Sequence, residues 1–397
     1  MNIAWLCPEI IVPADSGGRI VQYERLRYVS ELGHKITLYL FDNHRIDDSA
    51  NNELGKLCKS VVPYDYSTKK TETLIKSFAS RRPYCVLKFY NKQISEQIKQ
   101  GVNQGEVDLI IVEFPFLLVN LTAEIINKCP TVLEQHNVEW MTMHSIAVGA
   151  TNNPLRKLFG KTEAAKLRRF ESNSYRTLNL AKMTFLTQDD MDQVNSFGVD
   201  KVLTPPGGLD FFSDLSVRSG SEVSFIANFG YQPNQVSAKW IVEKVIPRVI
   251  KDYPNVRFNF VGKNPPQWLS SLSRHDGRVT VTGRVDDLGE WYRKSTVIIV
   301  PVTTGGGVKI KLLEAASSGR IIIATPFSVK GTVFTDKEHL IIKEKPAEFA
   351  EAIISALNNP MQYLPMIEKC RRTYLENYSW SAVNEAWFQQ VLNAINR

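Results

Sequence analysis

Twice along this chain, short near-continuous runs of aliphatic and β-branched residues alternate with stretches of helical periodicity. The two series meet at Thr204-Pro205-Pro206-Gly207-Gly208-Leu209-Asp210. Few architectures accept such a pattern. Runs that are apolar on both faces need cover on both faces, which calls for parallel strands sandwiched between helices. In the first half the pattern predicts strands at Ile3–Cys7, Lys35–Phe41, Asp108–Val112, Thr131–Gln135 and Met183–Thr187, and a long helix over Ala164–Leu180. In the second half it predicts strands at Val223–Ala227, Val256–Val261, Arg278–Thr282, Val297–Pro301 and Arg320–Ala324. The stiff proline pair followed by a permissive glycine pair suits a hinge near residue 206. The expected organisation is therefore an α/β domain over 1–205, a second over 206–377, and a helix over 378–397. That helix carries Trp380, Trp387 and Phe388, which need a surface to bury against, and the first domain is the expected surface.

A length of 397 residues suits two domains. With 43% hydrophobic and 22% charged residues the chain is neither disordered nor fibrous. The five cysteines are scattered and form no CxxC pair, which disfavours a disulfide framework or a zinc site and fits a reducing cytoplasm. The amino-terminal residues read as a strand rather than a secretion leader. The most apolar segment, Val107–Leu121, is interrupted by Asp108, Glu113 and Pro115, too early for a membrane-spanning helix. The net charge of +7 is concentrated in two basic segments, 56–100 and 151–182. Without a nucleic-acid-binding motif beside it, this charge points away from DNA or RNA. Aromatic and aliphatic residues interleave with Lys76, Arg81, Arg82 and Lys88, so a phosphate-bearing acceptor or peripheral contact with an anionic membrane face is the expectation.

The segment from Val300 to Gly319 reads as strand, glycine loop and helix. Gly305, Gly306 and Gly307 lead into the helix, where unpaired amides and the positive end of the dipole can seat a diphosphate. Val308 lies on the same turn, and Lys309 or Lys311 can add a point charge. Lys311 and Glu314 are three residues apart and share a helix face. A carboxylate there can accept hydrogen bonds from a ribose. Other loops at strand ends are Asn228–Asn234 and Gly283-Arg284-Val285-Asp286-Asp287. Asp189-Asp190 and Asp286-Asp287 read as helix caps or first-turn charges rather than metal ligands, and no metal site is expected.

In the first half, the loop Pro8–Gly18 ends in Gly17-Gly18 before a helix. Its glycines stand too far from the strand for a dinucleotide turn. Glu134-Gln135-His136-Asn137-Val138-Glu139 follows a strand, which puts His136 at the carboxyl edge of the sheet, facing a cleft. Asn137 and Glu139, with Arg81 and Arg82 from the basic segment, are candidates on the acceptor side.

Through Gly305–Ala315 and Tyr231-Gln232-Pro233-Asn234, nearly the whole chain resembles the GT-B glycosyltransferases, specifically family 4, the retaining nucleotide-sugar enzymes, in their bacterial polysaccharide branch. The resemblance implies two Rossmann-like domains whose parallel sheets face a central cleft. It implies that Glu314 binds the donor ribose, that Lys311 or Lys309 meets the diphosphate, that Arg284 sits beside the base, and that Gly18 brings an amide near the donor phosphate. It also implies that His136 stands beside the transferred sugar. The expected catalytic residues are thus His136, Lys311 and Glu314. Where the family usually has a second glutamate, eight residues before the ribose-binding one, this chain has Gly306. The implied reaction is transfer of a hexosyl group from a UDP- or GDP-sugar to a glycan, lipid-linked or protein acceptor, with retention and without metal or other cofactor, in the cytoplasm or peripherally on the inner membrane face. A front-face route, in which the departing phosphate helps to deprotonate the acceptor, is favoured by the missing acid. The alternatives are an epimerase of nucleotide sugars and a non-catalytic scaffold partner of a glycosyltransferase.

Overall fold

A computed structural model describes residues 1–14, 16–41, 46–64, 70–149, 153–211, 217–304 and 308–395. The chain divides into two compact units, one formed by Met1–Pro205 with Asn384–Arg397 and the other by Pro206–Val383.

Among the described residues the first unit holds seven parallel strands: β1 (Asn2–Cys7), β2 (Lys35–Leu40), β3 (Ser60–Pro63), β4 (Leu109–Glu113), β5 (Thr131–Gln135), β6 (Lys182–Phe185) and β7 (Lys201–Leu203). They are ordered β3-β2-β1-β4-β5-β6-β7. Ile3 pairs in register with Ile36 on one side and Leu109 on the other. Successive side chains of a strand point to opposite faces, and here both faces are apolar. Ala4, Leu6, Ile110 and Val112 enter one core cluster. Ile3, Trp5, Leu109 and Ile111 enter another, which is completed by Trp387, Phe388 and Val391. These three lie on the helix Trp380–Ile395, whose residues from Asn384 onward count with this unit. Helix thus begins two residues later than the sequence suggests.

Among the described residues the second unit holds six parallel strands: β8 (Glu222–Ile226), β9 (Arg257–Val261), β10 (Val279–Val281), β11 (Val297–Val300), β12 (Ile321–Ala324) and β13 (Ile341–Ile342). They are ordered β10-β9-β8-β11-β12-β13. Val223, Phe225, Val297 and Ile299 pack into one layer. Ile226, Ile298 and Val300 pack into the other, against Leu312, Leu313 and Ala316 of the helix Ile310–Ser317 and Tyr374 of the helix Leu364–Asn377.

The α/β class with two parallel sheets is therefore as read from the sequence, and every strand expected there is present. The long helix differs. It begins at Pro154, ten residues before the expected start, and ends at Thr177. Its first turn is capped by Asn153, whose side chain accepts the amides of Leu155 and Arg156 at 2.9 and 3.2 Å, and Pro154 fits the first helical position.

The glycine pair after Pro206 also differs from expectation, since both residues are packed rather than hinge-like. A Cβ on Gly207 would lie 2.6 Å from Cδ2 of Trp380, and one on Gly208 would lie 2.7 Å from Cβ of Leu313. The Gly208 amide donates to the Tyr378 carbonyl at 2.9 Å, and the Tyr374 hydroxyl donates to the Gly208 carbonyl at 2.7 Å. Glycine is used here for close approach, not for freedom.

Candidate functional site

In the second sheet the strand order reverses between β8 and β11, and open α/β sheets take ligands at the carboxyl ends of strands beside such a reversal. The chain leaves β11 through Pro301–Thr304. Gly305, Gly306 and Gly307 lie outside the described residues; Val308 is half-buried and Lys309 immediately precedes the helix Ile310–Ser317.

Two side chains of that helix are held by partners from distant sequence. Lys311 donates from Nζ to Oδ1 of Asn234 at 2.9 Å. Asn234, buried in the first turn of the helix Gln232–Trp240, is itself fixed by donating to the Asn228 carbonyl at 2.7 Å. Glu314 accepts at Oε2 from the hydroxyl of the buried Tyr292 at 3.3 Å. Burial brings the Lys311 ammonium down to about 8, helped by Lys309 and opposed by Glu314. Burial also pushes the Glu314 carboxyl up to about 7, against the hydrogen bond from Tyr292 and the charge of Lys311. Both groups thus titrate near neutrality, a pattern that marks functional sites more often than surface pairs.

Lys309 is placed differently. Its Nζ lies 4.8 Å from the centroid of the Phe327 ring, and burial and the neighbouring Lys330 lower its pKa. Arg284 is exposed on the loop after β10, two strands away from β8.

The packed glycines belong to this site. A Cβ on Gly208 would come within 3.1 Å of the Leu313 carbonyl carbon and 3.2 Å of the Glu314 amide nitrogen. Ser317 donates to the Leu209 carbonyl at 2.8 Å. The segment following Pro206 is therefore laid along the helix that carries Lys311 and Glu314. Asn234, Tyr292 and Gly208 were not among the sequence candidates.

In the first unit, β4 ends at Glu113 and β5 at Gln135. Glu113 is fully buried. Its Oε1 accepts from the indole Nε1 of Trp5 at 2.9 Å, and its Oε2 lies 2.6 Å from Nε2 of His136. The His136 ring stacks on Phe114 with centroids 4.6 Å apart and an interplanar angle of 18°. Phe114 holds φ +73°, a left-handed conformation unusual for a bulky residue. His136 directly follows β5, at the carboxyl edge of the sheet as read from the sequence, and is 6% exposed against Glu113 and Phe114.

Beyond it, Asn137 donates to Oε1 of Glu139 at 3.5 Å, and burial pushes the Glu139 carboxyl up to about 7, opposed by His136. Gln135 donates to the Tyr175 hydroxyl at 2.5 Å, and Glu171, beside Tyr175, is pushed up to about 8 by burial and then by Glu139. Gln135 Oε1, His136 Nδ1 and Glu171 Oε1 are buried with no hydrogen-bond partner among the described residues.

Glu134 has a different role. It binds Arg25, accepts from Thr184 Oγ1 at 2.6 Å and from the Trp387 indole at 2.8 Å. Gly17 and Gly18 open the helix Gly17–Glu31, beside an Arg19–Glu9 ion pair of 2.8 Å. Arg81 and Arg82 are exposed.

Among the described residues no group of three or more His, Cys, Asp or Glu is arranged to hold a metal ion. A cavity of about 690 Å³ opens at the amino ends of β5, β6 and β7, lined among others by Arg176, Phe197 and Asp200. It lies at the opposite edge of the sheet from Glu113 and His136 and contains none of the candidate residues.

Residues 220–359 match the family model described as glycosyl transferases group 1, and the match contains Asn234, Tyr292, Lys311 and Glu314. The fold of the whole chain aligns with that of Anabaena Alr3699/HepE, crystallised with UDP, at a TM-score of 0.65 and 12% identity over 99% of this chain and all of that one. The fold is that of the GT-B glycosyltransferases.

The chain is 26% identical to a protein of the cps region of Klebsiella pneumoniae described as an uncharacterized 44.6 kDa protein, over 89% of both chains. It is also 26% identical to a phosphatidyl-myo-inositol mannosyltransferase of Mycobacterium tuberculosis, over 48% of this chain and 53% of that one. The candidates in the first unit, His136 among them, lie outside the matched family segment.

Proposed function

We propose that the chain is a retaining, family 4 hexosyltransferase that takes a UDP- or GDP-sugar and delivers its sugar to a hydroxyl of a glycan, lipid-linked or protein acceptor. The observation that carries this reading is the helix face presenting Lys311 and Glu314, each fixed by a buried partner and each brought near neutrality, at the carboxyl end of the second sheet. Glu314, when ionised, accepts hydrogen bonds from the donor ribose. Lys311 meets the diphosphate and stabilises the negative charge that grows on it as the bond to the anomeric carbon breaks. Lys311 supplies that charge, so the reaction is read as metal-independent with no cofactor beyond the donor. The reading is supported by structural neighbours crystallised with UDP and with UDP-glucose, and by the mannosyltransferase and capsule-region relatives. His136, Asn137 and Glu139 are read as contacts to sugar hydroxyls, Gly17 and Gly18 as phosphate-side amides, and Arg284 as a neighbour of the base.

Glu314→Ala is expected to weaken nucleotide-sugar binding roughly 10- to 100-fold, the cost of hydrogen bonds to a charged group. Calorimetry against UDP- and GDP-sugars checks it, and unchanged affinity removes the role. The same panel, followed by nucleotide release with and without acceptor, separates transfer from epimerisation, which yields isomer alone, and from a scaffold, which yields neither.

The first unit has a face suited to an anionic bilayer. No described helix is long and apolar enough to cross a membrane. Yet Ile75, Phe78, Ile146, Leu155 and Leu158 are each at least 60% exposed on three neighbouring helices, with Phe78 and Phe159 rings 5.0 Å apart. Arg81, Arg82 and Arg156 are exposed nearby in sequence, and Lys157 is half-buried beside them. Apolar insertion with a basic rim is the interfacial pattern. Sedimentation with vesicles containing anionic lipid is expected to retain the protein and neutral vesicles to retain less; equal retention excludes the contact.

A further inference from the structure

The pairing of Glu113 with His136 fixes something that neither residue fixes alone. Glu113 receives the Trp5 indole N–H on Oε1, and an indole nitrogen can only donate. An ionised carboxylate only accepts, so the hydrogen between Oε2 and Nε2, 2.6 Å apart, belongs to the imidazole. The neutral ring is then the Nε2–H tautomer, and its lone pair is on Nδ1. That atom is buried and has no protein partner among the described residues. A buried acceptor without a donor carries a desolvation cost unless something else supplies one. Stacking on Phe114 prevents the ring from turning to find a donor elsewhere.

We propose that Glu113 is a positioning residue which holds His136 as the Nε2–H tautomer, so that Nδ1 accepts a hydrogen bond from a hydroxyl of the bound sugar substrate. The substrate contact rests on the reading of function given above; the tautomer does not.

Glu113→Gln separates the two. The amide oxygen of the new side chain must accept the Trp5 N–H, which has no other acceptor among the described residues. Its NH₂ then faces His136 and donates to Nε2, and the ring inverts to the Nδ1–H tautomer. A donor replaces an acceptor at the substrate-facing atom, with almost no change of volume.

The experiment is a long-range ¹H–¹⁵N correlation spectrum of protein carrying ¹⁵N-labelled histidine, recorded where the rings are neutral. The His136 signal is identified by its loss in His136→Asn. Steady-state kinetics on wild type and Glu113→Gln follow, with the KM of donor and of acceptor measured separately. The expected result is an Nε2–H ring in the wild type and an Nδ1–H ring in the variant. The KM of whichever substrate carries the hydroxyl should rise roughly 3- to 10-fold, the worth of one net hydrogen bond, and Glu113→Asp should recover part of the loss. An Nδ1–H ring in the wild type overturns the proposal without need of any variant. An unchanged ring in a folded Glu113→Gln overturns it as well. Inversion of the ring with both KM values unchanged overturns the substrate contact. Absence of sugar transfer by the wild type, with the expected ring signals, removes the reading of function and leaves the tautomer standing.

Discussion

Lys311→Met is expected to lower kcat for sugar transfer by roughly 100- to 1000-fold, the usual cost of removing one preorganised donor from a developing oxyanion. It should do so without loss of fold. The ammonium is brought down to about 8 from its ordinary 10.5 by burial, so the native state holds that proton less tightly than the unfolded chain does. At pH below about 8 the charge is a destabilising element, and methionine of similar length should leave the melting temperature unchanged or raise it. Between about 8 and 10.5 the unfolded chain binds more protons at this site, so its contribution to stability becomes more favourable as pH rises.

The same two groups set the pH profile. Glu314 must be ionised to accept from a ribose, and its carboxyl is pushed up to about 7. Lys311 must be protonated to meet a diphosphate. The kcat/KM for the donor is therefore expected to rise through about 7 and fall above about 8. Loss of the alkaline limb in Lys311→Met, with the acid limb kept, assigns the two arms; a variant that keeps both limbs removes Lys311 from the assignment.

Arg25→Ala is the replacement expected to damage stability most, by about 3–5 kcal/mol, because it strands a buried carboxylate. Arg25 and Glu134 have side chains 3% and 1% exposed. The guanidinium also donates to the carbonyl and hydroxyl of Thr204, at 3.0 Å each, and lies 5.0 Å from the Trp387 ring centroid. Burial pushes the Glu134 carboxyl up and Arg25 is the main force holding it down. Urea denaturation followed by tryptophan fluorescence measures the shift. A paired Arg25→Met, Glu134→Gln chain should regain much of the loss, since removing both charges avoids the desolvation cost that either alone incurs. A loss under 1 kcal/mol in Arg25→Ala would contradict the picture of a dry ion pair.

Much of the fold was legible because interior strands such as Ile298–Val300 and Leu109–Val112 are apolar on both faces. The strands that escaped, β3, β7 and β13, are short edge strands whose residues, Ile341 apart, are exposed or half-buried, and they carry too little periodicity to stand out. That Lys311 and Glu314 share one helix was legible from their spacing. Their partners were not: Asn234 stands 77 residues away and Tyr292 stands 22 residues away, joined only by the order of the strands. Glu113 did leave a trace, as an acid interrupting the apolar run 107–121. Read only as a bar to membrane insertion, it also marked where β4 stops and polar contacts begin. The glycine pair misled because composition gives φ freedom and close packing the same letter; only the Trp380 ring and the Leu313 backbone tell them apart.

The first unit is assembled from two stretches of sequence, with the second unit threaded between them, and this bears on the order of events during synthesis. The second unit is contiguous and can fold once Val383 has left the ribosome. The first cannot be finished then, although most of it was made earlier, because the cover for Trp5 and the indole that Glu134 binds arrive only with Trp387. Until those residues emerge, the layer around Trp5 has only the cover of Leu26, Val29, Ala50 and Leu54, and the apolar surface that Trp387, Phe388 and Val391 later bury stays open to water.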